Sequence, residues 1–91
     1  MADIVEGPVT SVVDGDTFDM RVTHIGTKNK IKYNDVERIR IAGIDAPELD
    51  TVAGKHSKEA LQKKFSGKTV RCTVQARDTY HRLVADVSII S

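Results

Sequence analysis

The chain carries a single cysteine, Cys72, which rules out an internal disulfide. Because Cys72 alternates with Val70 and Val74, it reads as a small buried apolar side chain and not as a reactive thiol. A charge imbalance is also missing: 14 Lys and Arg stand against 13 Asp and Glu. Bulk electrostatics therefore does not announce a nucleic-acid binder, and any polyanion must be held by local charge. There is no internal repeat and no low-complexity tract. The first residues, Met1-Ala2-Asp3-Ile4-Val5-Glu6, have neither the basic start nor the apolar run of a secretory signal or membrane span. The histidines His24, His56 and His81 share no metal-ligand spacing, which argues against a zinc site.

What is present is the composition of a folded protein, 40% apolar and 30% charged, away from the low-hydrophobicity corner where chains stay disordered. At 91 residues it reads as one small domain. A chain of this size buries only about two-thirds of the surface it exposes when unfolded, so the stability margin is expected to be thin.

Two runs with apolar side chains at alternate positions, 8–13 and 17–22, flank Asp14-Gly15 and predict a hairpin, since Asp-Gly tolerates the positive φ of a tight turn. Residues 25–36 carry Gly, two Asn and three Lys, and read as an extended loop or a second, solvated hairpin. A third strand is expected at about 37–44, with Ile39 and Ile41 on one side and Arg38 and Arg40 on the other. Ser57, Ala60, Leu61 and Phe65 fall at helical spacing, predicting a helix over about 53–65 that stops at Gly67. Its lysines, Lys55, Lys58, Lys63 and Lys64, are most simply a solvated face. Strands at about 69–75 and 82–90, joined by a polar corner at Arg77-Asp78-Thr79, complete the pattern. Five strands with one helix between the third and fourth suit a mainly β, five-stranded OB-fold barrel, whose closure removes most exposed edges.

Three stretches concentrate chemistry: Asp14-Gly15-Asp16-Thr17, the run from Arg40 through Asp45-Ala46-Pro47-Glu48, and Asp78-Thr79-Tyr80-His81-Arg82. Together they supply hard oxygen ligands, which select a divalent cation such as Ca²⁺, a spare carboxylate able to orient or deprotonate a water, and two guanidinium groups that match a phosphate. Each stretch alone has a plainer explanation. Asp14-Gly15 is mainly a turn signal, Pro47 stops a strand, and Arg40 or Arg82 in isolation would be surface arginines. Asp16 differs because it opens a strand, where Asp is disfavoured.

The order of these motifs, from the Asp-Gly turn with Asp16-Thr17 through Arg40, the Asp-x-Pro-Glu ending at Glu48 and the Tyr-x-Arg ending at Arg82, resembles the staphylococcal nuclease (thermonuclease) family from about Val9 to Val87. The resemblance implies an OB-fold barrel and a Ca²⁺-dependent nuclease that hydrolyses phosphodiester bonds of single-stranded DNA and RNA, leaving 3′-phosphate ends. It implies that Asp16, Asp45 and the backbone carbonyl of Ala46 hold Ca²⁺, that Glu48 acts on the attacking water, that Arg40 and Arg82 grip the phosphate, and that Tyr80 contacts nucleotide phosphate. Ala46 stands where the family usually has Thr, a mild departure because the proposed ligand is main-chain. His81 replaces a common glycine; if that glycine serves a positive φ, His81 carries strain of about 1–3 kcal/mol or the loop bends differently.

Family members continue into helices beyond the position of Ser91, so the 91 residues are expected to form one nuclease-like domain ending before them, with self-association through an uncovered C-terminal face. Members are often secreted, while the compartment of this chain stays open. Two other readings stand beside the enzyme: a non-catalytic single-strand-binding OB module, and an inactive truncated fragment.

Overall fold

The computed structural model describes residues 3–27 and 29–91, so Met1-Ala2 and Lys28 of the expected 25–36 loop lie outside the described residues. Strand β1 (Asp3–Asp14) is long enough to serve two sets of neighbours. Its first half pairs antiparallel with β5 (Thr69–Arg77), from Asp3 opposite Val74 to Pro8 opposite Thr69. Its second half pairs with β2 (Thr17–Arg21), from Val9 opposite Met20 to Asp14 opposite Thr17. Register shifts at Val9/Ser11 and Val12/Asp14 bend the strand between these partners, as bulges do.

β2 pairs with β4 (Val36–Ile41), β4 runs parallel to β6 (Leu83–Ile89), and β6 returns antiparallel to β5. The ring β1-β2-β4-β6-β5 therefore closes on β1 as a five-stranded barrel, and a two-residue strand β3 (His24–Ile25) adds to β1 at Val5 and Glu6. The parallel β4–β6 pair needs a long crossover, supplied by helix α1 (Val52–Phe65) and β5.

Period-2 alternation fills the interior. Val5, Phe18, Met20, Ile39, Val70, Cys72, Leu83 and Ala85 are fully buried. Helix α1 contributes a narrow stripe, Gly54, Leu61 and Phe65, and Phe65 meets Phe18 edge-on with ring centroids 5.2 Å apart. Ala60, expected on that stripe, is exposed, because the stripe is only one side chain wide. No helix among the described residues is long and apolar enough to cross a membrane.

The barrel and the position of its helix follow the sequence expectation, while β1 begins at Asp3, five residues before the expected run 8–13, and two further features differ. The third strand ends at Ile41, where Ala42-Gly43 turns with Gly43 at φ +79°, three residues before the expected end. Gly15 does not have positive φ: only Gly43, Gly67 and His81 do among the described residues. A Cβ on Gly15 would instead lie 2.5 Å from Ser57 Cβ and 2.9 Å from Ala46 Cβ, so glycine is required there by close packing of the turn on α1 and the 46 loop.

Of the two expectations for the 25–36 segment, its described residues take the loop form, which beyond β3 is tied down by side chains. The Asp3 carboxylate accepts from the Lys30 and Ile31 amides and, at 2.8 Å, from the Tyr33 hydroxyl. The Asn29 amide bonds both the N–H and the C=O of Ile4, imitating a strand partner.

Candidate active site

The β2–β4 register, Thr17 opposite Arg40, carries the hairpin turn to the end of β4, where Ile41 N–H donates to the Asp16 carbonyl at 2.8 Å. Asp16, 7% exposed, is thereby fixed against the loop that follows β4. Its Oδ1 accepts from the Thr17 hydroxyl at 2.8 Å and its Oδ2 from the Ala46 amide at 3.0 Å. Arg40 Nη2 lies 3.5 Å from Asp16 Oδ2 and 3.6 Å from Asp45 Oδ1. One guanidinium nitrogen thus faces carboxylates from two separate segments, while Nη1 donates to the Ile41 carbonyl at 2.6 Å and to the Ile44 carbonyl.

These groups line an open cleft of about 340 Å³ whose walls also include Asp14, Ala46, Glu48 and Arg82. Desolvation alone would raise the Asp16 pKa, but hydrogen bonds from Asp14, Ala46 N–H and Thr17, with the Arg40 charge, hold it below the usual carboxylate range. Asp14 moves the other way, raised by burial and by its carboxyl neighbour Asp16. Asp14 also accepts from the Asp16 amide at 3.1 Å, so it serves the turn and the cleft together, which its reading as a turn residue understated.

Glu48 is exposed, yet its backbone is held firmly. Its carbonyl accepts from Thr51 N–H at 3.1 Å and from Thr51 Oγ1 at 2.6 Å. The same Oγ1 caps α1 by accepting from Gly54 N–H at 3.0 Å. Gly54 lets the two backbones touch, since a Cβ there would lie 1.8 Å from the Glu48 carbonyl oxygen.

Arg82 reaches the cleft from the β5–β6 corner. Its Nε donates to Asp78 Oδ2 and its backbone N–H to Asp78 Oδ1, both at 2.8 Å. Tyr80 does not line the cleft: it is 77% exposed and its ring stacks on the Arg82 guanidinium at 5.2 Å. His81 has φ +66°, so the left-handed geometry is kept without glycine.

Sequence reasoning missed most of the residues that support the site. Thr51 had a readable signal, a cap residue just before the helix. Asp78 was singled out with Arg82 as part of the last motif, but that its carboxylate holds both the Arg82 backbone N–H and Nε emerged only from the fold. Gly54 and the Arg77–Glu37 ion pair described below left no local trace.

The donor set suits a hard cation in kind: two carboxylates on one guanidinium, with the backbone of Ala46 beside them. It is sparse in number, and among the described residues no group of three or more His, Cys, Asp or Glu side chains could hold a metal ion.

The family model of the staphylococcal nuclease homologue matches residues 38–91. The chain belongs to the staphylococcal nuclease homologue family. "Uncharacterized endonuclease" of Escherichia coli O157:H7 is 32% identical over 83 residues, covering 91% of this chain and 48% of that protein. "Probable staphylococcal-like nuclease CAN1" of Oryza sativa subsp. japonica is 48% identical over 50 residues, 55% of this chain and 15% of the relative. "Probable endonuclease LCL3" of Schizophyllum commune (strain H4-8 / FGSC 9210) is 35% identical over 103 residues, 93% of this chain and 35% of the relative. The chain thus spans half or less of the length of these relatives. The family match begins at Arg38 and omits the Asp16 turn, whereas the bacterial and fungal matches extend over nearly the whole chain.

Proposed function

We propose that this chain carries the catalytic barrel of a nuclease that hydrolyses phosphodiester bonds of single-stranded DNA and RNA with the aid of Ca²⁺, leaving 3′-phosphate ends. The observation that carries the reading is the meeting of Asp16 and Asp45 on Arg40 Nη2, in a cleft that Glu48 and Arg82 also line. Nuclease and endonuclease names among the relatives support it.

In this reading Asp16, Asp45 and the Ala46 carbonyl would hold the cation, with water completing its shell. Bound there, Ca²⁺ would supply positive charge to a phosphate oxygen. Glu48, which lines the cleft and whose backbone Thr51 holds, accepts the proton of the attacking water. Attack at phosphorus loads negative charge onto the equatorial oxygens, and the Arg40 and Arg82 guanidinium groups stabilise that charge more than they stabilise the ground state. Arg82 keeps donors available because Asp78 occupies only its Nε. Breaking the bond from phosphorus to the 5′-oxygen leaves the phosphate on the 3′ side. Tyr80, outside the cleft and stacked on Arg82, suits contact with a neighbouring nucleotide.

Digestion of heat-denatured DNA in Ca²⁺ and in EGTA tests the proposal, with Arg40→Lys as the companion variant. Loss of cleavage in EGTA is expected, and replacing one preorganised planar donor by a point charge should lower kcat by about 10²–10³. Undiminished cleavage in EGTA, or single-strand binding with a steep salt dependence and no cleavage at all, would overturn it in favour of a metal-independent enzyme or a binding module.

A further inference from the structure

Glu37 is 3% exposed, on the interior-facing side of β4 with Ile39 and Ile41, where a charge is costly unless fully paired. Its partner is Arg77 at the end of β5, with Nη1 to Oε1 and Nη2 to Oε2 both at 2.9 Å. The Asn34 backbone and side-chain amides donate to Oε2 as well, at 2.8 and 3.2 Å. No step of the proposed reaction uses this pair.

Arg77 has two further contacts, and one bears on the cleft. Nη2 donates to the Lys32 carbonyl at 3.2 Å, and Nη1 donates to the His81 carbonyl at 3.0 Å. His81 is the residue with left-handed φ, and its carbonyl belongs to the peptide whose N–H is that of Arg82. On the other side, His81 N–H donates to the Asp78 carbonyl at 3.0 Å. A non-glycine residue persists in such a conformation only where its surroundings over-determine it. Here the peptide groups before and after His81 are both pinned, the second by a guanidinium that a buried carboxylate holds in plane.

We infer that Arg77, oriented by Glu37, is a positioning residue for Arg82: it clamps the His81 carbonyl and so holds the strained corner that aims the Arg82 guanidinium into the cleft. The inference rests on the nuclease reading for its effect on turnover, but its geometric content stands apart from it. Asp78 holds the other side of the same peptide, its Oδ1 accepting from the Arg82 N–H while Arg77 donates to the His81 carbonyl, so the clamp and Asp78 fix one peptide group from both sides. The predicted consequence is a link between His81 and Arg77: the clamp is needed because residue 81 is not glycine.

Arg77→Lys keeps a cation beside Glu37 but cannot span both Glu37 oxygens and the His81 carbonyl. It should lower kcat about tenfold to a hundredfold, the scale of a misplaced catalytic group, with KM changed much less. Adding His81→Gly, which removes the left-handed penalty, should restore most of the lost kcat, while His81→Gly alone stays near the parent. Should Arg77→Lys fold poorly, Glu37→Met/Arg77→Met removes both charges together and should show the same dependence on residue 81.

An NMR measurement of hydrogen exchange at the Arg82 N–H and Nε–H, both bonded to Asp78, reads the geometry without any catalysis. Protection lost in Arg77→Lys and regained with His81→Gly supports the clamp even if the parent cleaves nothing, in which case only the nuclease reading fails. Unchanged Arg82 protection in Arg77→Lys, or a kcat loss that His81→Gly leaves in place, overturns it.

Discussion

Replacing Gly54 by Ala should destabilise this protein, although the same change in an ordinary helix interior stabilises it by about 1 kcal/mol. Gly54 sits in the first turn of α1, and a Cβ there would lie 1.8 Å from the Glu48 carbonyl oxygen, 2.6 Å from its carbon and 3.0 Å from Leu49 Cα. All three atoms are backbone, so no side chain can rotate away. Relief requires the helix start and the Glu48 loop to separate, stretching the two bonds from Thr51 to the Glu48 carbonyl. Forced overpacking costs about 1–3 kcal/mol, and three backbone contacts this short put Gly54 at the upper end, so after the gain of about 1 kcal/mol in helix propensity a net loss of about 2 kcal/mol remains. For a domain of this size that is a fall in Tm of about 8–16 °C. Circular-dichroism melts read the stability, and cleavage of denatured DNA well below the melt reads the displacement of Glu48. Ala53→Gly serves as control: at the neighbouring exposed position it loses about 1 kcal/mol of propensity and should leave turnover alone. A Gly54→Ala protein as stable as the parent, with full activity, would refute the idea that contact with α1 sets the position of Glu48.

Acid should destabilise the fold through Glu37 and Asp3. Burial alone would raise the pKa of each, but Arg77 and the Asn34 amide outweigh it at Glu37, and the Ile31 and Lys30 amides with the Tyr33 hydroxyl do so at Asp3. A depressed folded pKa means that the unfolded chain binds the proton more readily, so this stability is complete above the unfolded values of 4.5 and 3.8 and is lost as pH falls through the lower folded values. Tm measured from pH 7 to pH 3 should fall below about pH 4.5, and Glu37→Gln should flatten part of that slope. The buried Cys72 thiol, packed 3.7 Å from Met20 Sδ, has its pKa pushed up to about 12 by burial. It should resist a disulfide reagent at pH 8 and react fully once urea unfolds the chain; rapid labelling of the native protein would contradict its place in the core.

Much of the barrel was legible because its signals are local. Alternating Val, Ile and Phe marked the strands, and helical spacing through Leu61 and Phe65 marked α1. The 25–36 segment was not legible, since Asp3 and Asn29 organise it from the side, and a carboxylate in the opening residues says nothing about which amides it will meet 27 or 28 positions later. The candidate site divides the same way. Asp16, Arg40, Asp45, Glu48 and Arg82 could be picked out by residue type and order, and the folded chain brings all five to one cleft; Tyr80 it leaves outside, against Arg82.

Residue type and period carry information about the nearest few neighbours, and for this chain that sufficed to draw five strands, one helix and a short set of candidate site residues. Ring closure supplied the rest. Only when β4 lies between β2 and β6 does Asp16 meet Ala46 and Arg40, and only then does a charge on the inner face of β4 find its guanidinium 40 residues away. Such contacts are made by side chains and peptides far apart in the chain, so their geometry depends on the packing of the whole barrel and leaves no periodic mark in the letters.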